Sequence, residues 1–258
     1  MDQPRIIELE HWMDSPPGQY IISWQQQQID ELIGNVFGYH AVQAGLPSIN
    51  FLRANRIRHK IITTSGWFNV NGNSKPYSLV SDPECLPFES GTIDLIILPH
   101  VLECSSNPHQ VLREVERVLR PEGTLVISGF NPWSLWGMRE RMPGLIPRLP
   151  IPAHDLVSLV RLRDWLRLLS LEPGRGHFGG YAPLCRSSKW LYRWSFVEGA
   201  GHRWWPFFGA CYVISAVKRV SGMRLVGPVW KSSRARARRG RVATVHTLGS
   251  RRKADLHD

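Results

Sequence analysis

The stretch GTIDLIILPHVLE (Gly91–Glu103) decides the fold of this 258-residue chain. Its uninterrupted apolar run, Leu95–Leu98, is typical of a strand buried on both faces, as in a parallel sheet covered by helices. The sequence NPHQVLREVERVLRPEGTLVISGF (Asn107–Phe130) follows. Asn107 is placed to cap a helix that ends by Pro121, and GTLVISGF is a second buried strand. Strand, helix and strand in this order predict a right-handed crossover.

Further strands and helices flank this unit on both sides. Candidate strands before it are HAVQAGL, HKIITTS and YSLVSD, which begin at His40, His59 and Tyr77. The last two candidates, EPGRGHFGGYAP and ACYVISAVKRV, can pair antiparallel at one edge of the sheet. Sequence patterns predict helices over Ile29, Leu32, Ile33, Val36 and Phe37, stopped by Gly38; over Ser48 to Asn55; around Leu162, Trp165, Leu166 and Leu169; and near Trp190 to Val197.

Composition excludes several classes of protein. The four cysteines form no CxxC pair and the ten histidines no HExxH motif, so we expect neither a metal site nor disulfides, and a cytoplasmic setting with reduced thiols. The N-terminal residues do not resemble a signal peptide. No uninterrupted apolar stretch approaches the roughly 18 residues of a membrane span. A chain of this length suits one α/β domain with an insertion.

Charge is concentrated at the C-terminus. From Lys231 onward, nine Lys or Arg stand against two Asp, which gives +7 of the formal net charge of +11 and leaves +4 for the rest. We therefore divide the chain into a domain over residues 1–230 and a basic tail, disordered by composition, over residues 231–258. The tail is either a solvated extension or a segment that binds phosphates, including those of RNA.

Ligands of open α/β sheets bind at the carboxyl ends of the strands. That rule selects the segments directly after the predicted strands: Gly45 to Ser48, Thr64 and Ser65, Asp82 to Glu84, Leu98 to Glu103, and Gly129 to Pro132. The sequence therefore predicts one rim on which five segments meet.

Several motifs in Ser81–Phe130 resemble one known family. They are Asp82 before Leu86-Pro87-Phe88, the strand start Ile93-Asp94, the helix end Arg117-Val118-Leu119, and Pro121-Glu122-Gly123. In this order the stretch resembles class I S-adenosylmethionine (SAM)-dependent methyltransferases of type 11. The resemblance implies a Rossmann-like, doubly wound, mostly parallel seven-stranded sheet with an antiparallel edge strand, in three α/β/α layers. It also implies SAM as cofactor and methyl transfer to a small or medium-sized acceptor.

The resemblance gives roles to residues on the rim. Asp82 would accept the adenine amine, with Pro83, Glu84 and Leu86 as the adjacent wall. Leu98 and Pro99 would lie beside the methionine moiety and the methyl group. His100 is either a base, a group that orients the acceptor, or an ordinary rim histidine. We interpret Glu103 and Asp94 as structural.

The first two strand ends depart from the family pattern. Gln43 stands where the family has an acid, two residues before Gly45, and Leu46-Pro47 replaces further glycines. Leucine and proline are not expected at positive φ. Thr64, with its neighbours Thr63 and Ser65, replaces the acid that binds the ribose. The alternative hypothesis is thus a methyltransferase-like binding or regulatory protein without turnover.

Aromatic residues predict the acceptor side. GFNPWS follows the fifth strand, so we read Asn131-Pro132 as a turn that begins a lid over residues 133–152, with a second lid segment over residues 184–208. Tyr181 follows the sixth strand. An apolar acceptor, a dimer interface and plain core packing all remain open as reasons for these residues: Trp133, Trp136, Met138, Met142, Trp190, Trp194, Trp204, Trp205, Phe207 and Phe208.

Overall fold

A computed structural model describes residues 3–65, 79–140, 149–183, 201, 203 and 205–220. The chain divides into two units, Met1–Ser221 and Gly222–Asp258. The predicted tail, the aromatic helix near Trp190 and parts of both lid segments lie outside the described residues. Those assignments stay predictions.

Seven strands and seven helical segments make up the described part of the chain. The strands are β1 His40–Ala44, β2 His59–Thr64, β3 Leu79–Val80, β4 Ile93–Pro99, β5 Leu119–Phe130, β6 Leu171–Gly179 and β7 Cys211–Lys218. The helices are α1 Gln3–Met13, α2 Pro16–Ile33, α3 Val101–Cys104, α4 Pro108–Val118, α5 Leu135–Glu140 and α6 Leu159–Leu168, with a 3₁₀ turn at Pro206–Phe208. Within these ranges, no helix combines the length and apolarity needed to cross a membrane.

The strands form one sheet in the order β3-β2-β1-β4-β5-β7-β6. All neighbours are parallel except β7, which runs antiparallel to both β5 and the edge strand β6. This is the mixed Rossmann-like sheet that the sequence predicts. In the register, Phe130 at the end of β5 and Gly179 at the end of β6 both pair with Cys211 at the start of β7. The ends of β5 and β6 and the start of β7 therefore share one rim.

Helices bury both faces of the sheet. Apolar residues of α1 and α2 form one core with alternate residues of the central strands, including Ala41, Leu95 and Val126. Residues of α4 and α6 form the other core with the intervening strand residues, such as Val42 and Ile96. Because successive strand residues face opposite sides, a continuous apolar run such as that of β4 supplies both cores.

Local signals placed α4 correctly and α2 incorrectly. Asn107 caps α4, since its Oδ1 accepts from the N–H of Gln110 (3.2 Å). The predicted extension of the N-terminal helix to Phe37 is wrong, because α2 ends at Ile33. The Asn55 amide donates to the carbonyls of Ile33 (2.7 Å) and Val36 (3.0 Å), which closes the helix with a side chain 22 residues away.

Two further boundaries differ from the sequence predictions. The segment predicted as a helix at Ser48–Asn55 forms turns, because the N–H of Phe51 and that of Leu52 bond to side chains (Gln43 and Asn50) rather than to helical carbonyls. Strand β5 begins at Leu119, directly after α4, four residues before GTLVISGF. The interpretation of Asp94 as structural is confirmed: its Oδ2 accepts from the N–H groups of two residues that lead into β1.

Candidate functional site

The turn after β1 joins three strand ends. Gly45 has φ of 89°, and its N–H donates to the carbonyl of Thr63 in β2 (2.9 Å). A Cβ at Gly45 would lie 2.9 Å from Cγ2 of Val101 and 3.6 Å from the carbonyl oxygen of Pro99, both beyond or at the end of β4. Glycine is therefore required both for its backbone conformation and for this close approach.

Leu46 continues the turn at positive φ, 44°. The expectation that leucine would not adopt this conformation is wrong, although it costs an L-residue about 1–2 kcal/mol. The Leu46 side chain is 1% exposed, in the core on the α1 and α2 face. Because complete burial of a leucine contributes about 1.5–3 kcal/mol, it offsets the backbone cost. The turn thus forms without a second glycine.

Gln43 holds this turn in shape from within the sheet. Its side chain is fully buried, and Nε2 lies 3.1 Å from the Gly45 carbonyl, 3.1 Å from that of Leu46 and 2.7 Å from that of Ile49. Its Oε1 accepts from the N–H of Phe51 (2.9 Å). An amide nitrogen has two hydrogens, so two of the three carbonyls are bonded at a time. The polar atoms of Gln43 are committed to the turn.

Strand β2 ends in two buried threonine hydroxyls. Oγ1 of Thr63 and Oγ1 of Thr64 have no hydrogen-bond partner within the part of the chain that the structure describes. Consecutive strand residues face opposite sides, so only one of the two can serve a given ligand. Buried side-chain hydroxyls are nearly always satisfied in proteins. A water or ligand that forms a hydrogen bond with Oγ1 of Thr64 would satisfy this hydroxyl.

The loop after β3 presents Asp82 and anchors Glu84. Asp82 is exposed on the rim, next to the buried Pro83, and its Oδ1 accepts from the N–H of Glu84 (3.0 Å). Oε1 of Glu84 accepts from three donors just before α4: Ser105 Oγ (2.7 Å), Ser106 Oγ (3.0 Å) and the N–H of Asn107 (3.1 Å). Burial raises the pKa of Glu84, but these hydrogen bonds together outweigh it and the net shift is downward. Glu84 thus ties this loop to α4.

The LPF and RVL motifs contact each other. The N–H of Leu86 donates to Oε1 of Glu114 (2.9 Å), and Arg117 donates to the carbonyls of Leu86 (3.1 Å) and Phe88 (2.9 Å). Arg117 also pairs with Glu114 (2.6 Å), and this hydrogen bond is the main cause that lowers the pKa of the Glu114 carboxyl. The Leu86 side chain packs in the core against α4. These motifs therefore fix the position of the loop that carries Asp82.

His100 lies at the end of β4 in a chain of hydrogen bonds that runs from Gln25 through Glu103 to Phe130. It has φ of 54° and is 1% exposed, while Leu98 packs in the core before it. The two ring nitrogens have partners: Nδ1 lies 2.9 Å from Oε2 of Glu103, and Nε2 lies 2.8 Å from Nε2 of Gln25 in α2. With the Gln25 amide in this orientation, its nitrogen donates to Nε2 and the ring proton lies on Nδ1, while Gln25 Oε1 is buried without a partner among the described residues.

Glu103 completes this chain. Its Oε1 accepts from the N–H of Phe130 at the end of β5, which confirms its predicted structural role. Burial raises the pKa of Glu103, although the bonds from His100 and Phe130 act in the opposite direction. A Cβ at Gly129 would lie 2.7 Å from the hydroxyl oxygen of Tyr212 and 2.9 Å from Oε1 of Glu103. These hydrogen-bonded side chains are therefore packed too tightly to admit a side chain at Gly129.

An apolar cavity of about 460 Å³ opens on the rim of β5, β6 and β7. Of the aromatic residues singled out in the sequence, Trp136, Tyr181, Trp205 and Phe208 line it. Trp133, Met138 and Phe207 are exposed and do not line it. Met142, Trp190, Trp194 and Trp204 lie outside the described residues.

Two site residues were not identified, or only partly identified, from sequence. Gln25 is a polar residue on the apolar stripe of α2, four residues from Ile21 and four from Ile29, and that position was the available signal. Asn131 forms the predicted turn, since its Oδ1 accepts from the N–H of Trp133 (3.1 Å). Its Nδ2 also donates to the carbonyls of Phe207 (2.7 Å) and Gly209 (3.0 Å), a long-range link that no local pattern signals.

Comparisons with known proteins agree with this geometry. A family model described as a methyltransferase domain, type 11, matches residues 64–127. An Escherichia coli K12 protein, described as uncharacterised protein YafS, is 32% identical over 168 residues, or 65% of this chain and 67% of that protein.

Two solved structures have the same fold. A SAM-dependent methyltransferase from Archaeoglobus fulgidus gives a TM-score of 0.54 at 15% identity, over 76% of this chain and 94% of that one. Another, from Thermotoga maritima, gives 0.52 at 14% identity, over 82% of this chain and 99% of that one. At such identities the likeness establishes the fold alone.

Proposed function

Because this chain belongs to the family of type 11 methyltransferase domains, we propose that it transfers a methyl group from SAM to a small or medium-sized acceptor by in-line displacement. A small molecule suits this proposal better than a macromolecule, and the cysteine pattern favours a cytoplasmic setting. Contact with nucleic acid through the basic tail is a separate expectation on which this activity does not depend.

One observation carries the proposal: the left-handed Gly45 lies against Pro99 and Val101 at the end of β4. This contact brings the turn after β1 next to His100, at the carboxyl edge where α/β sheets bind ligands.

The residues around this turn fit the cofactor. Asp82 presents a carboxylate at the end of β3, suited to accept from an adenine amine. Thr64 carries a buried hydroxyl without a partner among the described residues, suited to a ribose hydroxyl. Gln43 takes part by shaping the turn, and Glu84 and Leu86 by holding the loop of Asp82, rather than by direct contact.

Methyl transfer from a sulfonium demands little covalent chemistry from the protein. When bound, SAM would supply a methyl group already activated by a positively charged sulfur, so the chain's own residues bind, orient and exclude water. Glu103 fixes the His100 ring and keeps the proton on Nδ1. The basic atom, Nε2, is held by Gln25. His100 would therefore accept a proton from the acceptor only after the hydrogen bond to Gln25 breaks. While that bond is intact, the role of His100 is to hold the end of β4 against α2.

The proposal is tested by calorimetry with SAM and S-adenosylhomocysteine on the full chain. We expect the wild type to bind both ligands and Asp82→Ala to bind about tenfold or more weakly, since a hydrogen bond to a charged group contributes about 1.5–3 kcal/mol. Glu89→Ala removes an exposed carboxylate of the same loop and should leave both affinities unchanged. A wild type that binds neither ligand would overturn the proposal and favour a binding protein without turnover.

A further inference from the structure

Three parts of the described chain line the apolar cavity on the rim. Leu135 and Trp136 follow β5, Gly180, Tyr181 and Pro183 follow β6, and Gly201, Trp205 and Phe208 precede β7. The register places the ends of β5 and β6 and the start of β7 side by side. The cavity is therefore a feature of the sheet's carboxyl rim, and its volume of about 460 Å³ lies in the range of small-molecule sites.

Two chains of contacts link the cavity to His100. Gly180 in the cavity wall lies against α2, because a Cβ there would be 2.6 Å from Cδ1 of Ile21. Gln25, which holds Nε2 of His100, is four residues further along α2, a rise of about 6 Å. The cavity thus adjoins the helix that covers the basic atom.

The second chain of contacts consists of aromatic rings. The Trp136 ring in the cavity wall is 6.3 Å from the Trp12 ring, which is 5.7 Å from that of Phe130. The Phe130 ring lies 4.4 Å from that of His100. The rings of Trp12 and Phe130 therefore lie between the cavity wall and the His100 ring.

The cavity wall offers an apolar surface. The indole N–H of Trp136 donates to the carbonyl of Ala182 (2.8 Å) and is thus directed into the protein. Asn131 is likewise committed to carbonyls of the segment before β7. At the mouth, Leu135 is 61% exposed, Trp205 58% and Phe208 49%. Large apolar side chains exposed around one opening are typical of ligand-binding grooves and interaction sites.

We propose that this cavity binds the apolar part of the methyl acceptor, a hydrocarbon chain or an aromatic ring system. The inference rests on the function proposed above and names its substrate class. Most of the binding free energy would come from burial of apolar surface, and affinity would rise with each buried methylene group. Polar recognition would be confined to the end of the acceptor that reaches the rim near His100.

Binding is tested with the uncharged probe N-phenyl-1-naphthylamine, whose fluorescence rises in an apolar site, and with n-alkanols that displace it. We expect wild-type full-length protein to bind the probe, and displacement by short alkanols to strengthen about fourfold per methylene group, as about 0.8 kcal/mol per buried group implies. This increase should level off once the alkanol fills the cavity. Alkanol affinity that is independent of chain length would overturn the proposal.

A matched pair of variants locates the site. Leu135→Arg places a charge at the mouth, and we expect it to weaken probe binding about tenfold or more. Met138→Arg makes the same change one helical turn along α5, at an exposed residue that does not line the cavity, and should stay within about twofold of the wild type. Both positions are exposed, so neither substitution should prevent folding. Equal weakening by the two variants would contradict the assignment.

SAM calorimetry on the same proteins separates this inference from the proposed function. We expect SAM affinity to be unchanged in Leu135→Arg, since the change is on the acceptor side. SAM binding without probe binding would overturn the proposal of an apolar acceptor but not the methyltransferase function. Probe binding without SAM binding would overturn the methyltransferase function, and with it the identity of the bound molecule as an acceptor.

Discussion

Gln43→Glu is the most instructive single substitution in this chain. It introduces the acid that the family carries two residues before its first glycine, and it changes one side-chain nitrogen to oxygen. In this structure, that nitrogen faces the carbonyl oxygens of Gly45, Leu46 and Ile49 at 2.7–3.1 Å. A carboxylate cannot donate to any of them. We therefore expect the residue typical of the family to be harmful here.

The expected loss of stability follows from the lost donors. The Gln43 amide makes two hydrogen bonds at once, and the substitution removes both. Each buried carbonyl left without a partner costs about 1–3 kcal/mol, so the free energy of unfolding should fall by about 2–6 kcal/mol at neutral pH. Burial and the facing carbonyl oxygens raise the folded-state pKa of the new carboxyl above its unfolded value. The penalty is therefore greatest above the folded pKa and shrinks as the pH falls, when a protonated carboxyl donates to one carbonyl.

Urea unfolding of the variant and the wild type at neutral and acid pH provides the assay. Gln27→Glu is the matched control, because the same change at an exposed position of α2 should be nearly neutral. SAM affinity should fall together with stability in Gln43→Glu, since the turn would lose its shape. A variant as stable as the wild type at neutral pH, with intact SAM binding, would refute the role given to the Gln43 amide.

Three further substitutions test other parts of the site. Gly45→Ala and Gly91→Ala both place alanine at positive φ, but only the Cβ at position 45 meets a neighbour within 3 Å. Urea unfolding should show that each variant loses about 1–2 kcal/mol of unfolding free energy because of its backbone conformation. Only Gly45→Ala should show a further loss and weaker SAM binding. Thr64→Val removes a buried hydroxyl without a described partner, so it should raise the free energy of unfolding by about 1 kcal/mol yet weaken SAM binding in calorimetry, whereas Thr63→Val should stabilise without affecting SAM. Glu114→Gln should destabilise by about 1 kcal/mol at neutral pH, because the arginine partner is partly exposed and the pair is screened. The lowered folded pKa of Glu114 means that its contribution is present above the unfolded value, 4.5, and is lost as pH falls through the folded pKa, so chemical unfolding in acid should show the two proteins converging. Equal losses for the two glycines, a destabilised Thr64→Val or a pH-independent effect of Glu114→Gln would each contradict the corresponding contact.

Local patterns predicted the parts of the fold that local physics decides. The apolar run of β4 and the cap at Asn107 act over a few residues, and both are where the sequence placed them. The end of α2 is decided instead by Asn55, whose amide reaches it from 22 residues away. Such a contact has no signal in the helix itself, and the predicted stop at Gly38 was therefore four residues late.

The candidate site shows the same division. Gly45 and His100 were found because they follow strands, a position that topology alone makes significant. The role of Gln43 as a donor to its own turn depends on the folded path of residues 45–51, and the link between Gln25 and His100 joins residues 75 positions apart. Leu46 at positive φ contradicts backbone preference because burial outweighs it. Tertiary contacts decide these features.

The central claim is that SAM lies over the Gly45 turn, between Asp82 and the end of β4. The most direct measurement is a crystal structure of the full chain grown with saturating S-adenosylhomocysteine. We expect the adenine amine at the Asp82 carboxylate, a ribose hydroxyl at Thr64 Oγ1 and the sulfur directed toward His100. Density for the ligand at any other place, or a rim without ligand in crystals of protein that binds it in solution, would contradict the claim.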